Sequence, residues 1–138
     1  MIMAEIDLVQ QIAQLNMEIC QHLDQELAPY GVNSSNYFYV MKIQVHPGIV
    51  QSEFTALVNV NPSTITRAVN HLVKLGLVVK KAHPKDRRAT QLYLTDLGAA
   101  KAAGITQVVD GFNNYLIGLD DHAYAAIATL RQAVAKRS

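Results

Sequence analysis

The stretch NPSTITRAVNHLVKLGLVVKKAHPKDRRATQLYL, residues 61–94, decides the fold of this 138-residue chain. Asn61 can accept hydrogen bonds from the open N–H groups of a helix start, and Pro62 suits the first helical position, which needs no N–H donor. Gly76 suits the left-handed conformation that commonly follows a helix. The sequence therefore predicts a helix that begins at Pro62 and ends just before Gly76.

This predicted helix has one apolar and one polar face. A step of 100° per residue places Ile65, Val69 and Leu72 together on the inner face. The outer face carries Ser63, Arg67, Asn70 and Lys74, with Thr64, Thr66 and His71 at its margins. A helix that reads base edges in the major groove of DNA needs such a polar face above an anchored one. The alternative is that these polar side chains only keep an ordinary amphipathic helix solvated.

A β-hairpin with a basic tip is predicted to follow the helix. Its strands are Leu77–Ala82 and Ala89–Leu94, and residues 83–88 join them. The tip can direct Lys85, Arg87 and Arg88 toward phosphates or toward the minor groove, whose negative potential attracts arginine. Asp86 would be repelled there, so we expect it to hold a neighbouring arginine in place.

The charge of the chain is concentrated in this region. The chain as a whole has a net charge of +1, with 12 Lys and Arg against 11 Asp and Glu. Residues 1–66 carry one cation and six anions, whereas residues 67–88 carry seven cations and one anion. Such a cluster is either a solvated face or a surface for a polyanion, and charge alone does not decide between them.

Helices are predicted on both sides of this central part. A stripe of apolar residues predicts a first helix from Glu5 to Ala28, ended by Pro29 and Gly31. The others are a second helix from about Ser34 to Val45, a third from Gln51 to Val58, a fifth from Leu97 to about Leu116, and a last one with a stripe of Tyr124, Ile127, Leu130 and Val134.

The sequence also predicts caps and buried faces for the other helices. For the second helix we expect Asn33 or Ser34 as the cap, and a shared face formed by Tyr37, Phe38, Met41 and Val45. For the third we expect Ser52 as the cap, with Phe54, Leu57 and Val58 on one side. Thr95 or Asp96 can cap the fifth helix, Asp120 can cap the last, and Gly118 is expected to break the helix before it.

Length and composition indicate one folded domain. Half of the residues are apolar and 17% are charged, which is enough to build a core and too little charge for intrinsic disorder. One cysteine cannot form an internal disulfide, and the chain opens with no secretory signal pattern. We therefore expect a cytoplasmic protein. The longest apolar runs are a few residues, so no membrane span is expected.

The order of helix, short break, capped helix and basic hairpin is the plan of a winged helix-turn-helix. In addition to this order of elements, residues 54–98 resemble the MarR family of bacterial transcriptional regulators. Their sequence is FTALVNVNPSTITRAVNHLVKLGLVVKKAHPKDRRATQLYLTDLG. The matching motifs are the Pro-Ser-Thr-x-Thr-Arg helix opening, the Leu-x-x-x-Gly-Leu-Val exit, the Asp-Arg-Arg wing and the Leu-Thr-x-x-Gly start of the next helix. Asn59 stands where the family often has glycine, which is tolerable because Asn enters the left-handed conformation readily.

The resemblance implies a mainly α-helical fold with a small β-hairpin wing, and a winged helix-turn-helix with flanking dimerisation helices. It implies a single domain over residues 1–138, with a DNA-binding core at about 33–95 and dimerisation helices at about 1–30 and 96–138. The implied function is a ligand-responsive repressor that binds a near-palindromic operator as a homodimer. The resemblance, the outer face of the predicted helix and the basic hairpin tip together predict the positions that contact DNA. They are Gln51, Ser52, Ser63, Thr64, Thr66, Arg67, Asn70, His71, Lys74, Lys85, Arg87 and Arg88.

Cysteine and histidine residues could in principle give the chain a sensing function. Cys20 invites a thiol-sensing function, but it lies mid-helix beside Glu18 and His22 without the nearby cations that lower a thiol pKa, so a buried hydrophobic role is favoured. The five histidines form no i, i+4 pair or cluster with ligand spacing, so we expect no metal and no cofactor. The alternatives left open are a winged-helix module that binds protein, and a thiol-sensing or metal-sensing variant of the regulator.

Three tyrosines, Tyr30, Tyr37 and Tyr39, lie around the junction of the first two helices. They could line a pocket for a small aromatic or amphipathic effector, but plain core packing would place them there as well. The enzyme class receives little support, because the chain has no Gly-x-Ser-x-Gly elbow, His-Glu-x-x-His helix or glycine-rich phosphate loop. We therefore expect a DNA-binding regulator and not an enzyme.

Overall fold

The computed structural model describes residues 7–137. Six helices and three short strands follow one another in this part of the chain. The helices are α1 (Leu8–Leu27), α2 (Tyr37–Val45), α3 (Gln51–Val58), α4 (Pro62–Lys74), α5 (Asp96–Leu119) and α6 (Ala123–Lys136), and the strands are β1 (Ile49–Val50), β2 (Val78–Ala82) and β3 (Thr90–Leu94). The mainly helical architecture with a small hairpin is confirmed.

Helix α1 begins and ends where its capping residues dictate. The Asp7 carboxylate accepts a hydrogen bond from the Gln10 amide at 2.8 Å, which caps the first turn. A 3-10 turn, Ala28–Tyr30, follows the helix, and Gly31 closes it in the left-handed conformation with φ of 78°. The predicted stop at Pro29 and Gly31 is confirmed. The predicted start at Glu5 lies outside the described residues.

The prediction for α2 was wrong in its start and in its buried face. The chain from Asn33 makes a turn in which the Asn33 side chain accepts from Ser35, so the helix begins only at Tyr37. The buried side chains of α2 are Tyr39, Val40 and Ile43, and Val45 is exposed. Nearly every position of α2 is apolar, so the spacing of apolar residues could not identify the inner face.

Helices α3 and α4 form the helix pair that the sequence predicted, with both helices at the expected bounds. Asn59 between them is left-handed with φ of 53°, as expected of Asn at that turn. Two details of α3 were wrong: its cap position is Val50, without a side-chain cap, and Leu57 is exposed. Phe54 alone of the predicted face is fully buried.

The strands form one antiparallel sheet in the order β1-β3-β2. Val78 pairs with Leu94 and Ala82 with Thr90, which is the hairpin predicted from the sequence. Strand β1 was missed; it adds to the other edge of β3 by pairing Ile49 with Leu92. Two residues show no alternation of apolar and polar side chains, so a strand this short has no sequence signal of its own.

Hydrophobic side chains from these elements meet in one core. Leu27 of α1, Ile43 of α2 and Phe54 of α3 are fully buried there, as are Ile65, Val69 and Leu72 of α4. Leu92 of β3 and Ile105 of α5 are fully buried in the same core. Helix α4 is therefore anchored along its inner face, which fixes the position of the outer one.

The described residues up to Thr106 form one compact unit, and those from Gln107 onward form a second. Helix α5 begins in the first unit and ends in the second. It runs through Gly118 to Leu119, so the predicted break at Gly118 was wrong. The predicted cap of α6 at Asp120 was wrong as well: the cap position is His122, without a side-chain cap, and the Asp120 carboxylate accepts from the His122 amide in the turn before the helix. Among residues 7–137, no helix is both long and apolar enough to span a membrane.

Candidate nucleic-acid interface

The outer face of α4 is the polar surface that the sequence predicted. Its exposed side chains are Ser63, Thr66, Arg67, Asn70, His71 and Lys74, and Thr64 is half-buried at the margin. Directly beneath them Ile65, Val69 and Leu72 have no exposed surface. The outer side chains therefore stand on a backbone that the core holds in place.

Hydrogen bonds at the start of α4 determine whether its hydroxyl groups can donate to or accept from a bound molecule. The side-chain Oδ1 atom of Asn61 accepts from the Ser63 amide at 2.9 Å and from the Ser63 hydroxyl at 2.6 Å. The Thr66 hydroxyl donates to the Pro62 carbonyl at 3.0 Å. Because each hydroxyl donates its proton to an oxygen of the chain itself, the Ser63 and Thr66 oxygens have acceptor lone pairs left for an outside donor.

The basic tip of the hairpin, which we call the wing (residues 83–88), is shaped by its own side chains. The Lys85 amide donates to the Nδ1 atom of His83 at 3.0 Å. The Asp86 carboxylate accepts from the Arg88 amide at 3.0 Å and lies 3.8 Å from the Arg88 guanidinium. The expectation that Asp86 holds a neighbouring arginine is confirmed. Lys85, Arg87 and Arg88 are all exposed.

An open groove of about 510 Å³ is lined by the start of α3, by helix α4 and by the wing. Gln51 and Ser52 line it from α3, Thr66 from α4, and Arg88 from the wing. The structure thus brings four of the predicted DNA-binding positions, drawn from three separate elements, to one concave surface. Arg67, Asn70, His71 and Lys74 lie farther along the exposed face of α4.

Lys80 is a residue of this surface that the sequence-based assignment missed. It lies on β2, lines the same groove, and donates a hydrogen bond from its Nζ atom to the Asn70 Oδ1 atom at 2.6 Å. Lys80 belongs to the basic cluster of residues 67–88, but a count of charges does not distinguish one lysine of that cluster from another. The neighbouring Lys81 instead places its ammonium 5.1 Å above the Tyr93 ring.

The three tyrosines of the predicted effector pocket occupy different environments. Tyr39 is buried in the core, where the centroid of its ring lies 4.2 Å from the Phe38 ring centroid and 5.9 Å from the Phe54 ring centroid. Tyr30 packs against Gly104 of α5. Tyr37 is half-buried, and burial raises the pKa of its hydroxyl above the ordinary value. Core packing therefore accounts for Tyr39.

The residues considered for sensing are placed as follows. Cys20 is half-buried, not fully buried as expected, and its Sγ atom lies 3.9 Å from the Asn16 Oδ1 atom. His46 ends α2, His71 lies on the outer face of α4, and His83 is part of the wing. Within the described part of the chain, no three His, Cys, Asp or Glu side chains are grouped so as to hold a metal ion.

Comparisons with known proteins show which proteins this chain resembles in sequence. Residues 32–90 match the sequence model of the MarR family. A putative transcriptional regulatory protein for the hcr operon of Thauera aromatica is 35% identical over 79 residues, which cover 57% of this chain and 48% of that protein. The chain thus spans about half the length of this relative.

Solved structures show the same fold over nearly the whole chain. The MepR–DNA complex of S. aureus has a TM-score of 0.84 at 15% identity and covers 97% of this chain and 100% of that one. The PcaV transcriptional regulator of Streptomyces coelicolor, in complex with its natural ligand, has a TM-score of 0.81 at 21% identity and covers 99% and 100%. Residues 32–90 are therefore similar to the MarR family, and the winged-helix fold is shared with these solved structures over nearly the whole chain.

Proposed function

We propose that this chain is a sequence-specific, DNA-binding transcriptional regulator that acts in the cytoplasm and has no enzymatic activity. The single observation that carries the proposal is the groove shared by α3, α4 and the wing, flanked by the exposed face of α4. In this proposal α4 enters the major groove of DNA, and the wing follows the adjoining backbone toward the minor groove. Residues 33–95 are the DNA-binding core.

The charge distribution supports a polyanionic partner on this surface. Residues 67–88 contain Arg67, Lys74, Lys80, Lys81, Lys85, Arg87 and Arg88 against Asp86 alone. The one anion already lies beside Arg88, so it opposes an incoming phosphate less than a free carboxylate would. Cations that neutralise phosphates release counterions, which is the main source of affinity for DNA in general.

Individual roles follow from the chemistry of each position. Arg67 is the α4 side chain suited to a bidentate contact with the O6 and N7 atoms of guanine. The start of α3 has no side-chain cap, so the amides of its first turn, at Gln51 and Ser52, are suited to a phosphate oxygen. Lys85, Arg87 and Arg88 contact the backbone and carry no base preference of their own.

A homodimer is proposed because apolar side chains remain exposed on the flanking helices. In the first unit, α1 exposes Leu8, Val9, Ile12, Leu15 and Met17. In the second unit, Ile117, Tyr124, Ile127, Leu130 and Val134 are exposed, and Tyr124 and Ile127 line an open groove of about 420 Å³. Exposed apolar patches of this kind mark association surfaces. Two copies would present two α4 helices to a near-palindromic operator.

The proposal includes repression and release by a small ligand. MepR is seen in complex with DNA and PcaV with its natural ligand, and both share the fold of this chain. An aromatic or amphipathic molecule suits the region around Tyr30 and Tyr37, which combine apolar rings with hydroxyl groups. The polar and cationic outer face of α4 favours this function over a winged-helix module that binds protein.

Selection of bound fragments from the genome of the source organism tests the proposal. The purified chain should enrich a small set of duplexes that share two related half-sites about one helical turn apart. A chain in which both Arg67 and Lys74 are changed to alanine is the control, because its exposed substitutions leave the core intact. Enrichment of no common sequence, or equal enrichment by the control chain, would contradict sequence-specific binding.

A further inference from the structure

Lys80 and Asn70 are joined across two elements of the proposed DNA-binding surface. The Lys80 Nζ atom lies 2.6 Å from the Asn70 Oδ1 atom, although Lys80 belongs to β2 and Asn70 to α4. Lys80 pairs in register with Leu92 of β3, and residues directly opposite in a sheet point to the same side. Leu92 is fully buried, so the Lys80 stem leaves the sheet on the side of the core and its ammonium reaches the exposed face of α4.

The contact determines how the Asn70 amide is turned. An asparagine side chain offers one carbonyl oxygen, which accepts, and one NH₂ group, which donates two hydrogen bonds. A lysine ammonium can only donate, so the atom that it contacts is the oxygen. A bond to a charged donor is stronger than one between neutral groups. The Asn70 oxygen is therefore held toward Lys80, and its NH₂ group is left for an outside acceptor.

This orientation changes the base that Asn70 can read. A free asparagine recognises adenine by donating to N7 while its oxygen accepts from the N6 amino group. In this chain the Lys80 ammonium takes one of the two lone pairs of that oxygen and places a cation beside it, which disfavours the approach of an amino group to the other lone pair. The remaining donors suit acceptor edges, which are O6 and N7 of guanine and O4 of thymine.

We propose that Lys80 is a positioning residue that turns the Asn70 amide so that it selects guanine or thymine and disfavours adenine. The inference rests on the proposed function, since it concerns the base preference of the same surface. It adds a residue outside α4 to the determinants of specificity. Its mode of action is to hold Asn70 and not to contact a base.

Selection from a random duplex library tests the pair, with Lys80→Met as the main variant. Methionine keeps much of the stem and removes the donor and the charge. The wild-type chain should show one position per half-site where adenine is depleted, and Lys80→Met should favour adenine there by about tenfold. Lys80→Arg, which keeps a charged donor, should retain the wild-type preference.

Lys81→Met is the matched control, because it removes the same charge from the next residue of β2. Lys81 stacks over Tyr93 and is not the donor to Asn70. It should weaken binding to all duplexes without altering base preference at any position. In an Asn70→Ala background, Lys80→Met should no longer alter the preference, because the side chain that it turns is gone.

The failure of this inference can be told apart from the failure of the proposed function. If the wild-type chain enriches no sequence, the proposed function is wrong and the inference falls with it. If the wild-type chain enriches an operator but Lys80→Met selects the same bases at every position, only the inference is overturned. The side-chain NH₂ resonances of Asn70 in the free protein add a test without DNA: they should move in Lys80→Met and stay in Lys81→Met, and the reverse would contradict the pair.

Discussion

Gly98 lies so close to the carbonyl oxygen of Leu77 that a Cβ atom at residue 98 would overlap that oxygen. Thr95 completes the junction, since its hydroxyl donates to the Gly76 carbonyl and accepts from the Gly98 amide. The start of α5 is thereby packed directly against the exit from α4. The last position of the Leu-Thr-x-x-Gly motif is therefore glycine for a steric reason: a larger residue would not fit at this junction.

Gly98→Ala should therefore destabilise the fold. The new methyl group meets backbone and not a flexible side chain, so the two elements must move apart, at a cost of roughly 1–3 kcal/mol. Urea unfolding measures the change. Gly111→Ala is the control, because nothing lies within 4 Å of a Cβ at Gly111 in the same helix. Alanine should stabilise the helix there by about 0.5–1 kcal/mol, and equal losses in the two variants would contradict the steric account.

Asn61→Ala should destabilise α4 by about 0.5–2 kcal/mol. The substitution removes the acceptor of both the Ser63 amide and the Ser63 hydroxyl, so the first turn of the proposed reading helix should fray. Hydrogen exchange of the first-turn amides and urea unfolding measure the two effects. Asn61→Asp keeps the capping oxygen and should retain wild-type protection. Loss of protection in both variants would show that the cap is not the cause.

Asp24→Ala should lower stability near neutral pH and leave it unchanged in acid. The Asp24 carboxylate accepts from the Ser34 amide at 2.7 Å, and this hydrogen bond lowers the pKa of the carboxyl below its ordinary value. A lowered pKa stabilises the fold above the unfolded-state pKa, which is about 3.9, and that contribution is lost as the pH falls through the lowered value. Urea midpoints of wild type and variant should converge as the pH falls. A constant difference down to the lowest pH would rule out the carboxylate as its source.

Ile127→Glu should convert the proposed dimer into a monomer. Ile127 is exposed in the second unit and lines its groove, where a buried unpaired carboxylate would be costly at an interface. Light scattering after size exclusion measures the molar mass. Ala125→Glu, at an exposed small side chain of the same helix, is the control. A wild-type chain that is already monomeric at micromolar concentration would remove the model of two half-sites.

Arg87→Ala should weaken binding to every duplex by a similar factor. Arg87 is exposed at the tip of the wing and is expected to contact phosphate, which carries no sequence information. The slope of log affinity against log salt concentration should become shallower by about one unit. Fluorescence anisotropy at several salt concentrations measures it. A loss of affinity confined to one DNA sequence would contradict this prediction and would indicate that Arg87 contacts a base.

Much of the site could be predicted because short-range features of the sequence, namely helix caps and the helical period, determine where its residues lie. Asn61, Pro62 and Gly76 mark the bounds of α4, and the 3.6-residue period separates Ile65 from Arg67 on opposite faces. The face of α2 could not be found, since Tyr37 and Phe38 are as apolar as the buried Tyr39. Strand β1 and the Lys80–Asn70 contact depend on tertiary pairing, which no local pattern encodes.

Titration of the wild-type chain and Arg67→Ala against the selected operator and a scrambled duplex tests the central claim most directly. If the exposed face of α4 reads DNA, Arg67→Ala should lose roughly 1–3 kcal/mol of binding free energy on the operator. Its loss on the scrambled duplex should be smaller, so the ratio of the two affinities falls. An unchanged ratio, with both affinities reduced alike or not at all, would contradict the assignment of this face as the reading surface.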